Sequence, residues 1–128
     1  MTIKTETRRL KANSFKRSIC PIACTLDLMG DKWTLLIIRD LFKGKHRYNQ
    51  FHESGEGITT NILAERLQRL EKAGLVFKTP YQTRPVRYEY HLTDTGKTLD
   101  TVIWAIIEWA NRQIPGTNKP KRSKMVKS

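Results

Sequence analysis

A chain of 128 residues suffices for one small domain but buries a smaller share of its surface than a larger one, so pairing with a second copy is a reasonable expectation. Lys and Arg number 24 against 12 Asp and Glu, a formal net charge of +12, which favours a polyanionic partner, with nucleic acid ahead of membrane. Two cysteines are too few for a disulfide scaffold, no apolar run approaches the roughly 18–20 residues that span a bilayer, and the N-terminus has no signal-peptide apolar segment, so a soluble, cytoplasmic protein without membrane contact is expected.

The charge is unevenly placed. Residues 1–17 carry six basic side chains and one acid, and residues 117–128 carry five basic side chains and no acid. The stretch 18–116 is near balance, with 13 basic and 11 acidic residues. The chain therefore reads as a basic flexible arm (1–17), a folded domain (18–116) and a basic disordered tail (117–128). Both ends would add affinity for a polyanion through counterion release.

Structure is expected to begin near Cys20-Pro21, since proline suits a first helical position. A short helix should run to Met29 and stop at Gly30. A second helix is expected from Asp31 to Lys43. Trp33, Leu35, Leu36, Ile37, Ile38, Leu41 and Phe42 make it apolar around most of its circumference, as in a helix buried on more than one side. Residues 47–54 form a short third helix, with Tyr48 and Phe51 sharing a face. Gly55 and Gly57 bracket a turn, and Thr59 or Thr60 is a good N-cap for a fourth helix to Ala73. Leu63, Leu67 and Leu70 give that helix one buried stripe.

The period then changes. Val76 to Pro80 and Val86 to Leu92 read as strands, the second alternating Val86, Tyr88, Tyr90 and Leu92 with Arg87, Glu89 and His91. Residues 81–85 are the polar loop of the hairpin. Thr93 caps a last helix, expected from Asp94 to Gln113, with a stripe of Leu99, Val102, Ile103, Ile106, Ile107 and Ala110. Trp104 and Trp109 lie off that stripe. This is more apolar surface than one small domain easily covers, which points to Ile103, Trp104, Ile107 and Trp109 at a homodimer interface, the alternative being that Trp104 and Trp109 are partly exposed or cover the domain's own core.

A short helix, a glycine turn, a helix with a polar outer face and a β-hairpin form a winged helix-turn-helix: α+β, mostly α, with an extra C-terminal dimerisation helix. The second helix of such a motif enters the major groove of double-stranded DNA with its N-terminal residues nearest the bases. Here Thr59, Thr60, Asn61, Glu65, Gln68 and Arg69 are the expected DNA-binding residues, with Lys72 on the same face. Asn, Gln and Arg can each make two-pronged contacts to base edges. Arg84 at the hairpin tip and Arg87 on its strand can reach phosphates or a minor groove, with Gln82 and Thr83 as neutral donors. Lys45 and Arg47 would meet the backbone ahead of the third helix. No catalytic constellation, phosphate loop or cofactor site assembles. His46, His52 and His91 have no metal-ligand spacing with the cysteines, and Asp27, Asp31 and Asp40 read as helix-terminal and surface acids.

The strings CPIACTLDLMGDKWTLLIIRDLFKGKHRYNQFHE, GITTNILAERLQRLEKAGLV and RYEYHLTDTGKTL closely resemble the HxlR family of transcriptional regulators, a branch of the winged-helix regulators related to MarR proteins. The resemblance spans roughly residues 18–113. It implies a homodimer on a pseudo-palindromic operator, with the N-terminal segment and last helix at the subunit interface, repressing or activating nearby genes, as family members often do in response to reactive electrophiles, oxidants or another small-molecule effector. Some members sense oxidants through a cysteine before the first helix, a position Cys20 matches. Lys16 and Arg17 precede it, and a helix N-terminus beside cations is a setting in which thiols react. Cys24, one turn on, is a second candidate redox sensor. The wing departs from the family, since many relatives carry an acidic or apolar loop where this chain has Gln82-Thr83-Arg84. Two further readings stay open: a sensor centred on a pocket lined by Trp33 and Trp104, and a winged helix that docks on protein rather than DNA.

Overall fold

The computed structural model describes Leu10 and residues 18–121. Apart from Leu10 and residues 117–121, the expected basic arm and tail lie outside the described residues. Four helices, α1 (Pro21–Met29), α2 (Thr34–Phe42), α3 (Tyr48–His52) and α4 (Thr60–Ala73), are followed by an antiparallel hairpin, β1 (Val76–Thr83) and β2 (Val86–Leu92), and by α5 (Asp94–Lys97) and α6 (Asp100–Gln113). Among the described residues no helix is long and apolar enough to cross a membrane.

The core is where the helical and strand periodicities converge. Ile38, Leu41 and Phe42 of α2, Phe51 of α3, and Leu63, Leu67 and Leu70 of α4 are buried together with Leu75, Val76, Tyr90, Leu92, Leu99, Ile103 and Trp104. The boundaries of α4 follow from its caps. Thr59 Oγ1 accepts the Ile62 N–H at 3.3 Å. Gly74 closes the helix in the left-handed region (φ 89°), which lets the Leu75 N–H reach back to the Leu70 carbonyl at 3.0 Å. That reversal drops Leu75 into the core and starts β1.

Four expectations are corrected. α2 starts at Thr34, not Asp31, because the Asp31 carboxylate accepts from the Trp33 and Thr34 N–H groups (3.0 and 3.2 Å) and holds residues 31–33 in a turn. β1 continues to Thr83 and the loop shrinks to Arg84-Pro85, with a register shift between Pro80 and Gln82. A two-stranded sheet has only edges, so Pro80 can stand opposite Tyr88 without an N–H. The single C-terminal helix is broken into α5 and α6 at Thr98–Leu99. The Thr98 hydroxyl donates to the Thr95 carbonyl at 2.6 Å, and the Thr98 and Leu99 N–H groups bond three residues back, which tightens the turn and redirects the chain into α6. Asp40 is a buried acid rather than a surface one, because α2 packs on both sides.

The inward face of α6 is Ile103 and Trp104, with Leu99 buried just ahead of it and Val102 and Ile107 half-buried, while Ile106 and Trp109 are left exposed. Trp104, expected at a subunit contact, is thus taken up by the chain's own core, as is Ile103. Gly96 makes the junction possible. A Cβ there would lie 2.1 Å from the Leu75 carbonyl oxygen, so only glycine lets α5 pass this close beneath β1.

Candidate nucleic-acid interface

The outer face of α4 presents Thr59, Thr60, Asn61, Glu65, Gln68 and Lys72, all exposed, with Arg69 half-buried. The inner leucine stripe fixes this orientation, since each exposed position is set by its angle to Leu63, Leu67 and Leu70. The start of the helix is braced from α3: His52 bridges the Ile58 carbonyl through Nδ1 (3.1 Å) and the Thr60 hydroxyl through Nε2 (3.2 Å). Both the N-cap and the first-turn threonine therefore have partners, while among the described residues no hydrogen bond holds the Asn61 or Gln68 side chain.

The hairpin stands beside this face, held by both ends of the helix-turn-helix. The Tyr90 N–H donates to the His46 carbonyl at 2.8 Å, and His46 Nδ1 lies 2.7 Å from the Tyr90 carbonyl. At the other end the Thr93 hydroxyl donates to the Gly74 carbonyl at 2.7 Å and the Thr93 N–H to that of Leu75 at 3.0 Å. Arg84 and Arg87 are exposed and make no ion pair among the described residues. Gln82 folds back over the tip, its amide donating to the Arg84 and Pro85 carbonyls (3.4 and 3.1 Å). Arg87 borders a cleft of about 240 Å³ lined by Tyr48, Tyr81, Val86, Tyr88 and Tyr90.

Arg47 is placed differently. Its guanidinium lies 3.7 Å over the Tyr81 ring and donates from Nε to Glu89 at 3.3 Å, so it is already neutralised within the molecule. Lys45 Nζ lies 3.5 Å from the Gln50 carbonyl, at the limit of a hydrogen bond. The three histidines act as structural bridges and ring contacts, with His91 stacked between His46 and Phe77. Among the described residues no group of three or more His, Cys, Asp or Glu side chains could hold a metal ion. Trp33 is half-buried, with Lys32 Nζ 4.7 Å from its ring centroid, and Trp104 is in the core. Cys20 is exposed at the N-cap of α1, and the half-buried Cys24 thiol donates to the Ser18 carbonyl at 3.0 Å. Of the four residues expected at a subunit contact, only Trp109 is exposed, with Ile107 half-buried.

The residue that sequence reasoning missed is Arg66, which ties α4 to the start of α2. Arg66 Nε donates to Asp31 Oδ2 at 2.8 Å, and its Nη1 pairs with Glu65. Glu65 in turn takes the Arg69 guanidinium on both oxygens (3.3 and 3.1 Å), and Arg69 Nη1 comes within 3.9 Å of Asp31. Its only signal in the chain is an arginine next to the leucine stripe. Its partner lies 35 residues away, which no local pattern encodes.

Two acids differ sharply. Burial opposes ionisation of Asp31, but hydrogen bonds from Arg66, from the Thr34 hydroxyl and from the Trp33 N–H outweigh it and hold the carboxyl well below the usual carboxylate range. Burial pushes Asp40 up, partly offset by the charges of Arg39 and Lys45. A depressed folded-state value means that Asp31 contributes stability above its ordinary value of about 3.9 and loses it as pH falls further, toward the folded value. Asp31→Ala is expected to lower stability near neutral pH by about 2 kcal/mol. It should also flatten the acid limb of the stability profile below about pH 4. Urea unfolding of both proteins across that range checks this, and an unchanged acid limb would rule the clamp out.

Comparisons with known proteins agree with this geometry. Residues 28–118 match the model of the HxlR-like helix-turn-helix family. The chain is 36% identical over 93 residues to an uncharacterized HTH-type transcriptional regulator, YdeP of Bacillus subtilis, covering 73% of each protein. Its fold superposes on the crystal structure of PA1607, described as a transcription factor, with a TM-score of 0.72 at 36% identity, covering 83% of this chain and 75% of that one. It also superposes on the redox regulator HypR in its oxidized form, with a TM-score of 0.65 at 32% identity, covering 80% of this chain and all of the other. A winged helix with a polar face on α4, a basic wing and this family match has one assignment: the chain belongs to the HxlR-like helix-turn-helix family of DNA-binding transcriptional regulators and is not an enzyme.

Proposed function

We propose that this chain acts in the cytoplasm as a homodimer that recognises a pseudo-palindromic operator. Two copies of α4 would enter successive major grooves about 34 Å apart. The observation that supports the reading is the exposed polar face of α4, where no hydrogen bond among the described residues holds the Asn61 or Gln68 amide, on a domain whose wing exposes Arg84 and Arg87 with no ion pair among the described residues. The amides would read base edges and the arginines would hold the phosphate backbone. Thr59 and Thr60 support the helix start, where free N–H groups suit a phosphate.

The dimer part rests on apolar surface exposed among the described residues. On α1, Ile22 and Leu26 are exposed one turn apart, with Ile19 just ahead, and α6 exposes Ile106 and Trp109, the latter at 57%. Such surface favours association with a second copy through the first and last helices. Trp109→Glu is expected to convert a dimer into a monomer in sedimentation equilibrium with the fold retained. A variant that sediments as wild type would exclude this interface. Arg84→Ala is expected to weaken duplex binding and to reduce the slope of log affinity against log salt by about 0.9, one phosphate contact. Anisotropy titrations over a salt series read both quantities, and an unchanged slope would remove Arg84 from the backbone contacts.

A second reading is favoured by one observation, the exposure of Cys20 at the start of α1, and by the likeness to a redox regulator. Two Cys20 thiols of a dimer would join as a disulfide, passing two electrons and two protons to a peroxide. Cys24, hydrogen-bonded and half-buried, is the weaker candidate. Mild peroxide should produce a reducible dimer band on a non-reducing gel for the wild type and none for Cys20→Ser. A band that survives the substitution would assign the thiol elsewhere.

A further inference from the structure

A carboxylate on the face of a helix that enters DNA needs a reason. Duplex DNA carries one negative charge per roughly 1.7 Å of axis, so Glu65 must either accept from a cytosine amine or oppose the approach. Its surroundings distinguish the two. Arg69 Nη2 occupies both carboxylate oxygens, at 3.3 and 3.1 Å, and Arg66 Nη1 holds Oε1 as well. Arg66 is itself fixed by Asp31 at 2.8 Å, with both side chains about one-fifth exposed, so Glu65 is tethered through a partner that cannot swing away. The two guanidiniums hold the Glu65 carboxyl below the usual carboxylate range. Three of the roughly four lone-pair sites of the carboxylate are thus taken by arginines of its own helix, which makes the acid first of all a partner of arginine.

We propose that Glu65 is a specificity-determining counter-ion for Arg69: it shields the guanidinium against casual phosphate contact and leaves it open to a neutral two-pronged acceptor in the groove. Both bonds to Glu65 come from one nitrogen of Arg69, Nη2, so the rest of the guanidinium can be approached while the pair stands. A phosphate matches the fork but brings its negative charge against the Glu65 carboxylate. A guanine edge offers O6 and N7 and carries no charge. The carboxylate therefore weakens contact to arbitrary DNA more than contact to a site with guanine opposite Arg69. Arg84 and Arg87 have no such partner among the described residues and supply sequence-independent attraction. This inference rests on the DNA-facing assignment of α4 above.

The test uses the full chain, a random-sequence duplex, and a duplex enriched from that pool by repeated selection for binding. Glu65→Gln keeps side-chain shape and removes the charge. It is expected to bind the random duplex about five-fold more tightly, with the salt slope steeper by about 0.9 as Arg69 gains a phosphate. Affinity for the selected duplex should change less, so discrimination falls. In an Arg69→Gln background the same substitution should leave slope and discrimination unchanged. Asp94→Asn, exposed at the start of α5 and away from both α4 and the proposed subunit contact, makes the same change in net charge and should alter neither. Loss of selected-duplex affinity alone would instead make Glu65 a base reader and overturn the proposal. So would an effect equal to that of Asp94→Asn, or one that persists without Arg69. Failure of the wild type to bind either duplex would overturn the operator-binding reading itself, a different outcome from any of these.

Discussion

The Asp31 carboxylate is the point on which the helical half of the domain turns. One side chain stops the chain after α1, accepts the first amides of α2, and reaches across to Arg66 on α4. The Thr34 hydroxyl, fully buried, adds a short bond of 2.5 Å to the same group. Two helices that the leucine core would hold only in rough register are thereby fixed in rotation. A hydrophobic stripe tolerates sliding and tilting by a fraction of a turn. A charge-assisted hydrogen bond at 2.8 Å is far more directional. What α4 presents to its surroundings is therefore decided partly by an acid on the opposite side of a turn.

The same economy governs the basic residues. The net charge of +12 lies largely at the two ends of the chain, while the folded part is nearly balanced. Within it, several arginines have internal carboxylates: Arg39 with Asp40 and Glu56, Arg47 with Glu89, Arg66 with Asp31, Arg69 with Glu65. The wing arginines have none among the described residues. Attraction to a polyanion and presentation of a defined pattern are thus divided between different parts of the molecule. In the proposed operator complex the wing and the chain ends would supply the first, and α4 the second.

The wing is held at its base rather than along its length. His46, Gly74 and Leu75 supply the carbonyls that fix Tyr90 and Thr93, so the hairpin is tied to the loops at both ends of the helix-turn-helix. Beyond Pro80 the ladder shifts register, and what steadies the strand is the Arg47 guanidinium over Tyr81. The tip beyond these contacts is mostly exposed.

By itself the sequence determined what depends on near neighbours. The α4 stripe, the Thr59 cap and the Gly74 stop are spaced within a turn of one another, and the alternation of Val86 to Leu92 is a period of two. Those signals placed the helix-turn-helix and the wing, and with them the DNA-binding family. The tertiary structure decided whatever depends on distance. Trp104 turned inward and Trp109 stayed outside, a division that a stripe drawn along the sequence does not fix. Asp40 is buried because α2 is covered on both faces, and its apolar neighbours Ile38, Leu41 and Phe42 were the local sign of that burial. Arg66 became the partner of Asp31 only when two helices far apart in the chain were packed side by side. Periodicity reports which face of an element is buried. It carries no record of which residue on another element will meet it.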